Sequence, residues 1–234
     1  MFSLFKKTEE EKVVAQSKFF SLIAAVFTTI LVISNIIAVK IGSFGGYFLP
    51  VGVILFPISY IINDILTEVY GYAAARRVIW TGFLCNLLAV LAIAIAIRVP
   101  SAPFFGGQDA FTQILGFTPR LLVASFTAYL AGGFSNSLLM AKMKIWSKGK
   151  NLWMRTIGST IVGEGLDSFI FIVIAFYGIF PGAQIANLVL TQWVFKTLFE
   201  AVLTPVTYGV VGLLKKAEGI DHYDTKTNFS LLKY

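Results

Sequence analysis

The chain has 234 residues, 57% of them hydrophobic and 13% charged, with a mean hydropathy of +0.79. Soluble domains carry about 25% charged residues, so this composition excludes an ordinary water-soluble domain and points to a membrane protein. The net charge is +7, but the basic residues fall in short segments between apolar runs, as orientation signals do, which argues against a nucleic-acid partner.

Six apolar runs suggest helices, roughly at 18–39, 49–70, 78–98, 120–141, 156–179 and 185–214. Each is near or above the ~20 residues that a span needs. Turn chemistry separates them: Gly42 to Gly46, Pro100 to Gly107, the Lys-rich Lys142 to Asn151, and Pro181-Gly182. The expected fold is an all-α, polytopic integral membrane bundle of six transmembrane helices in one domain spanning 1–234, with 215–234 a polar tail. The charged leader before the first run lacks a small-residue cleavage site, so that run reads as a retained helix.

An even number of spans puts both termini on one side. Thirteen basic residues fall there: Lys6, Lys7, Lys12, Lys18, Arg76, Arg77, Lys142, Lys144, Lys148, Lys150, Arg155, Lys215 and Lys216. The opposite side has Lys40, Arg98 and Arg120. The excess makes both termini cytoplasmic.

Asp64, Glu68, Glu164, Asp167 and Glu200 lie inside these runs, with Lys196 one turn before Glu200. A charge at bilayer depth costs at least ~2.5–3.5 kcal/mol on insertion scales, so such residues mark a substrate or ion path by default. In the second run Tyr60, Asp64 and Glu68 are four residues apart and share a face. Pro57 removes a backbone donor and is expected to kink this helix, freeing a carbonyl near Val53. In the fourth run Ser125 and Tyr129 are one turn apart, with Gly132-Gly133 and Asn136 beyond. In the fifth, Ser159, Gly163 and Asp167 form a face of small residues and one acid, which suits close helix approach. In the sixth, Gln192, Lys196 and Glu200 align. Lys196 can neutralise Glu200 on its own helix or reach Asp167 on another.

Enzymatic motifs are missing. No G-x-x-x-x-G-K-[ST] phosphate loop occurs. The one cysteine, Cys85, is in an apolar run and the one histidine, His222, is in the tail. No metal centre, cofactor or catalytic set is therefore expected, and the chain reads as a non-enzyme.

Four blocks in order carry a family resemblance. They are Phe56-Pro57 followed by Asp64, Gly71 and Ala75-Arg76-Arg77; Ala124-Ser125-Phe126 with Ala128-Tyr129 and Gly132; Ser159-Thr160 with Asp167-Ser168 and Ala175-Phe176; and Phe195-Lys196 with Pro205 and Tyr208-Gly209. On these the chain resembles the queuosine precursor transporters of the vitamin uptake transporter family. The leader and the tail after Ala217 carry no resemblance.

The resemblance implies a multi-pass protein of the bacterial inner membrane that imports 7-deazaguanine bases: 7-cyano-7-deazaguanine, its aminomethyl form, or queuine. Salvage of these bases feeds tRNA queuosine. It also implies a fold similar to the substrate-binding subunits of energy-coupling-factor transporters, acting without a dedicated ATPase. The residues are compatible with such a substrate. A guanine-like edge has two adjacent N–H donors, which Asp167 or Glu164 can accept. Lys196, Asn35 or Tyr129 can donate to its oxo group, and Phe171 or Phe56 can stack on the ring. The expected substrate-binding set is Asn35, Phe56, Asp64, Ser125, Tyr129, Glu164, Asp167, Phe171 and Lys196, with Glu68 and Glu200 as a proton or exit relay. Proton coupling and facilitated diffusion both remain open. So do two rival functions: a binding subunit driven by a separate ATPase, and a proton or ion channel. Besides the lipid bilayer and the small-molecule substrate, a homo-oligomer partner is in view, because one small bundle must still alternate access.

Overall fold

The computed structural model describes residues 17–38, 40–44, 47–116, 119–179, 181–225 and 227–230. Helix α1 spans Phe20–Ile37. A hairpin of β1 (Ile41–Phe44) and β2 (Tyr47–Pro50) follows, pairing antiparallel with Ile41 opposite Pro50. A 3₁₀ turn at Val51–Ile54 leads into α2 (Phe56–Tyr70). Then come α3 (Tyr72–Arg98), α4 (Gln108–Leu115), α5 (Pro119–Trp146), α6 (Leu152–Phe176) and α7 (Gly182–Glu218).

The chain is a helical bundle, and among the described residues five stretches are long and apolar enough to cross a membrane: α1, the 3₁₀ turn with α2, α3, α6 and α7. At 28 residues α5 is also long enough to span. Helix α2 occupies the centre. Twelve of its fifteen residues are buried, and it packs on α1, α3, α5 and α7. The outer faces are the reverse of a soluble protein's surface. Leu84, Leu88, Leu91 and Ile95 on α3 and Leu198, Val202 and Val206 on α7 are exposed, as lipid-facing side chains are.

Several boundaries depart from the sequence reading. The expected run 49–70 is divided, because β2 and the 3₁₀ turn occupy its first residues and α2 starts only at Phe56. Pro57 therefore sits in the first turn of α2 and makes no kink. Its missing N–H falls where a helix has no intrahelical acceptor anyway. Helix α3 begins at Tyr72, directly after Gly71, so Arg76 and Arg77 belong to its first two turns and not to a loop. Gly71 has φ +86°, and a Cβ there would strike the His222 ring. The hairpin and the short, unburied α4 were not expected from the sequence.

The segment after α7 is not a free tail. Asp224 accepts the Tyr72 N–H at 3.0 and 3.1 Å, capping the start of α3. The His222 N–H donates to the Val69 carbonyl, and Arg76 donates to the carbonyls of Asn228 and Ser230. Glu218 closes the other end of this clasp. Its carboxylate accepts the Phe19 N–H at 2.8 Å and the Lys18 N–H at 3.0 Å, donors that the start of α1 leaves unpaired.

Candidate functional site

Ionisable side chains fill the centre of the bundle in three tiers. The tiers follow from helical spacing. On α2 the series is Tyr60, Asp64, Glu68; on α7 it is Lys196 then Glu200; on α6 it is Glu164 then Thr160, running the other way. Four residues of helix rise about 6 Å, so each tier lies about one turn from the next.

The first tier joins α6 to α7. Lys196 Nζ lies 2.5 Å from Asp167 Oδ2 and 2.9 Å from Glu164 Oε2. It also sits 4.5 Å from the centre of the Phe56 ring, a cation–π distance. All three charged residues are at most 3% exposed. One ammonium thus serves two carboxyl groups, and Glu164 Oε1 accepts no hydrogen bond among the described residues. Tyr60 leans into the same region. Its buried hydroxyl has no hydrogen-bond partner among the described residues, and it lines a small cavity with Phe27, Ser59, Asn63, Ile79, Tyr129 and Gly133. Close backbone approach makes this packing possible. A Cβ on Gly132 would lie 2.8 Å from the Gly163 carbonyl oxygen and would strike the Tyr60 hydroxyl.

The second tier pairs two acids. Asp64 on α2 and Glu200 on α7 face each other. Asn136 Nδ2 donates to Asp64 Oδ1 at 2.5 Å, and the Thr160 hydroxyl donates to Glu200 Oε1.

The third tier is rich in cations. Glu68 meets Arg155 at 2.8 Å, Lys215 at 2.6 Å and Lys144 at 3.5 Å. Asp221, from the clasp, meets Lys144 at 2.5 Å and Lys215 at 2.9 Å. Lys144 also donates to the Glu68 and His222 carbonyls. Partial burial works against ionisation of Asp221, but hydrogen bonds from Lys144 and Lys215 outweigh it and hold the carboxyl below the usual aspartate range.

Of the residues expected to bind substrate, Glu164, Asp167, Lys196 and Phe56 come together in the first tier. Asp64 lies one tier away with Glu200. Asn35 and Ser125 form a separate polar contact: the Ser125 hydroxyl donates to Asn35 Oδ1 at 3.0 Å, and Asn35 Nδ2 donates to Asn86 Oδ1 at 3.0 Å. Tyr129 donates weakly to the Ile79 carbonyl at 3.4 Å and borders the small cavity. Phe171 meets Phe176 edge-on at 6.3 Å. Glu68 is the hub of the third tier and Glu200 belongs to the second.

Comparison with known proteins decides the family. The model of the "Putative vitamin uptake transporter" family matches residues 50–210. The chain belongs to the vitamin uptake transporter family. The matched stretch holds every residue of the first two tiers. A "Probable queuosine precursor transporter" of Bacillus subtilis is 28% identical over 191 residues, 80% of this chain and 82% of that relative. A protein of the same name from Haemophilus influenzae is 26% identical over 68% of this chain and 67% of its own length. The "Queuosine precursor transporter" of Escherichia coli is 25% identical over 71% of this chain and 74% of its own. No solved structure gives a significant match. Family membership and the apolar helices together make this a multi-pass membrane protein.

Sequence reasoning passed over Tyr60, Thr160, Lys144, Lys215 and Asp221 as site members. Tyr60 had a signal, its four-residue spacing from Asp64. Thr160 had one too, four residues before Glu164. The clasp had none, because Asp221 meets Lys144 only through tertiary structure.

Proposed function

We propose that the chain imports queuosine precursors, 7-deazaguanine bases, across the bacterial inner membrane. Six spans, α5 among them, would leave both termini in the cytoplasm, with the cation-rich third tier on that side. The substrate site is the first tier. Lys196, held between Glu164 and Asp167 against the Phe56 ring, is the observation that carries this reading. It puts a donor, two acceptors and an aromatic face at one buried point. A flat base with adjacent N–H donors and an oxo acceptor matches that set, the carboxyls taking the N–H edge and Lys196 the oxo group. The names of the three relatives support the same substrate class.

Replacing Asp167 by Ala removes one acceptor and one partner of Lys196. Uptake of labelled 7-cyano-7-deazaguanine by cells is expected to be abolished while the protein still inserts in the membrane. Normal uptake by that variant would refute the assignment.

A further inference from the structure

Every other buried carboxyl described in the bundle core has a cation within ion-pair reach. Glu68 has three, and Glu164 and Asp167 share Lys196. Asp64 and Glu200 have none among the described residues, although they are 0% and 1% exposed. They have each other. Two neighbouring buried carboxyl groups without a counter-ion favour a proton on one of them, because two carboxylates repel and can only accept hydrogen bonds.

The rest of the pocket is built around that proton. Asn136 takes up Asp64 Oδ1 and Thr160 takes up Glu200 Oε1. The remaining oxygens, Asp64 Oδ2 and Glu200 Oε2, are buried and have no hydrogen-bond partner among the described residues. A proton carried by the pair supplies the donor that both acids lack. A sodium ion fits the pocket less well, because the N–H and O–H donors of Asn136 and Thr160 point at the oxygens it would use, and hard cations take six or more oxygen ligands.

We propose that Asp64 and Glu200 form the site of a transported proton, distinct from the Lys196 substrate site and coupled to it. This rests on the transport reading above. The charged and titratable groups facing the pair are few. Tyr60 and Glu68 face it from α2, Arg155 and Glu164 from α6, and Lys196 lies one turn before Glu200 on α7. Helix α5 faces it with Asn136. Glu164 is the bridge: it feels Glu200 on one side and binds Lys196 on the other. A proton gained or lost by the pair therefore changes the field at the substrate site, and occupancy of either site alters the affinity of the other by the same factor. Pro205 lies on α7 just past Glu200. It leaves the Ala201 carbonyl without its helical donor, a weak point where α7 can bend as the pair changes state.

The test uses the full chain in proteoliposomes, with labelled 7-cyano-7-deazaguanine as probe. Uptake is measured under an imposed pH gradient, under a sodium gradient, and as exchange without a gradient. The ratio of pH-driven uptake to exchange is expected to exceed one in the wild type. In Glu200→Gln that ratio should fall by about tenfold, toward one. Asp64→Asn is a second variant should the first fail to fold, and it should fall likewise. A wild type that exchanges substrate but ignores the pH gradient would overturn this inference and leave the transport reading standing. Stimulation by sodium alone, or a pH response kept in both variants, would overturn it too. Failure of the wild type to exchange any deazaguanine would overturn both.

Discussion

Asp64 and Glu68 are one turn apart on α2, both buried, and live in opposite surroundings. Glu68 is held by Arg155, Lys215 and Lys144, with Asp221 added from the clasp. Asp64 faces another acid and an amide, with no cation within ion-pair distance among the described residues. The first arrangement suits a lock, since separating it strands several charges together. The second suits a site that gains and loses a small ion, since its charge state is the variable. Burial alone does not tell the two roles apart; the count of counter-charges does.

The comparison breaks hardest at Glu68. Glu68→Ala strands the buried Arg155 and leaves Lys144 and Lys215 with Asp221 alone, and such a loss costs about 3–5 kcal/mol. Glu200→Gln keeps shape and a hydrogen-bonding group and should cost less than about 1 kcal/mol. Denaturation of both variants in detergent measures the contrast. Equal losses would erase the distinction between lock and ion site.

A smaller effect is expected beside the first tier. Gly132→Ala drives a methyl against the Tyr60 hydroxyl and the Gly163 carbonyl. Overpacking of this kind costs about 1–3 kcal/mol. Ligand affinity should fall with it, because Tyr60 and Asp167 must shift. A variant with unchanged melting and unchanged ligand affinity would show that the α5–α6 crossing does not set the site.

The smallest effect comes from Asp221, whose side chain is 45% exposed. Its carboxyl is held below the ordinary range when folded. The stabilisation is therefore present above the ordinary aspartate value near ~3.9 and is lost as pH falls through the lowered one. Exposure reduces its worth to about 0.5 kcal/mol. Asp221→Asn should melt slightly below wild type at pH 7, with the gap closing under acid. A gap that widens as pH falls would contradict the lowered carboxyl.

The sequence showed much of the interior. Four-residue spacing put Tyr60, Asp64 and Glu68 on one face, and the structure stacks them as three tiers. Lys196 was left between Glu200 and Asp167, and the structure turns it to Asp167. The small residues at Gly132 and Gly163 bring α5 and α6 into contact as their size requires. The apolar runs gave the long helices, but not where α2 and α3 meet. Arg76 and Arg77 read as loop because they are charged, whereas Arg76 is buried under the carbonyls of Asn228 and Ser230. The pairing of Asp64 with Glu200 was invisible, since 136 positions separate them and no spacing rule links α2 to α7. Hairpin β1–β2 escaped for a different reason: its residues lie in a Gly-rich stretch that reads as a loop.

The central claim is that the Lys196 tier binds a deazaguanine base. A thermal-shift titration of the purified chain with 7-cyano-7-deazaguanine, guanine and biotin, in wild type and Lys196→Ala, tests it most directly. A ligand that binds the native state raises the melting point by mass action. The account predicts a saturable rise with 7-cyano-7-deazaguanine, none with biotin, and none with either in Lys196→Ala. No rise in the wild type, or an equal rise in the variant, would contradict it.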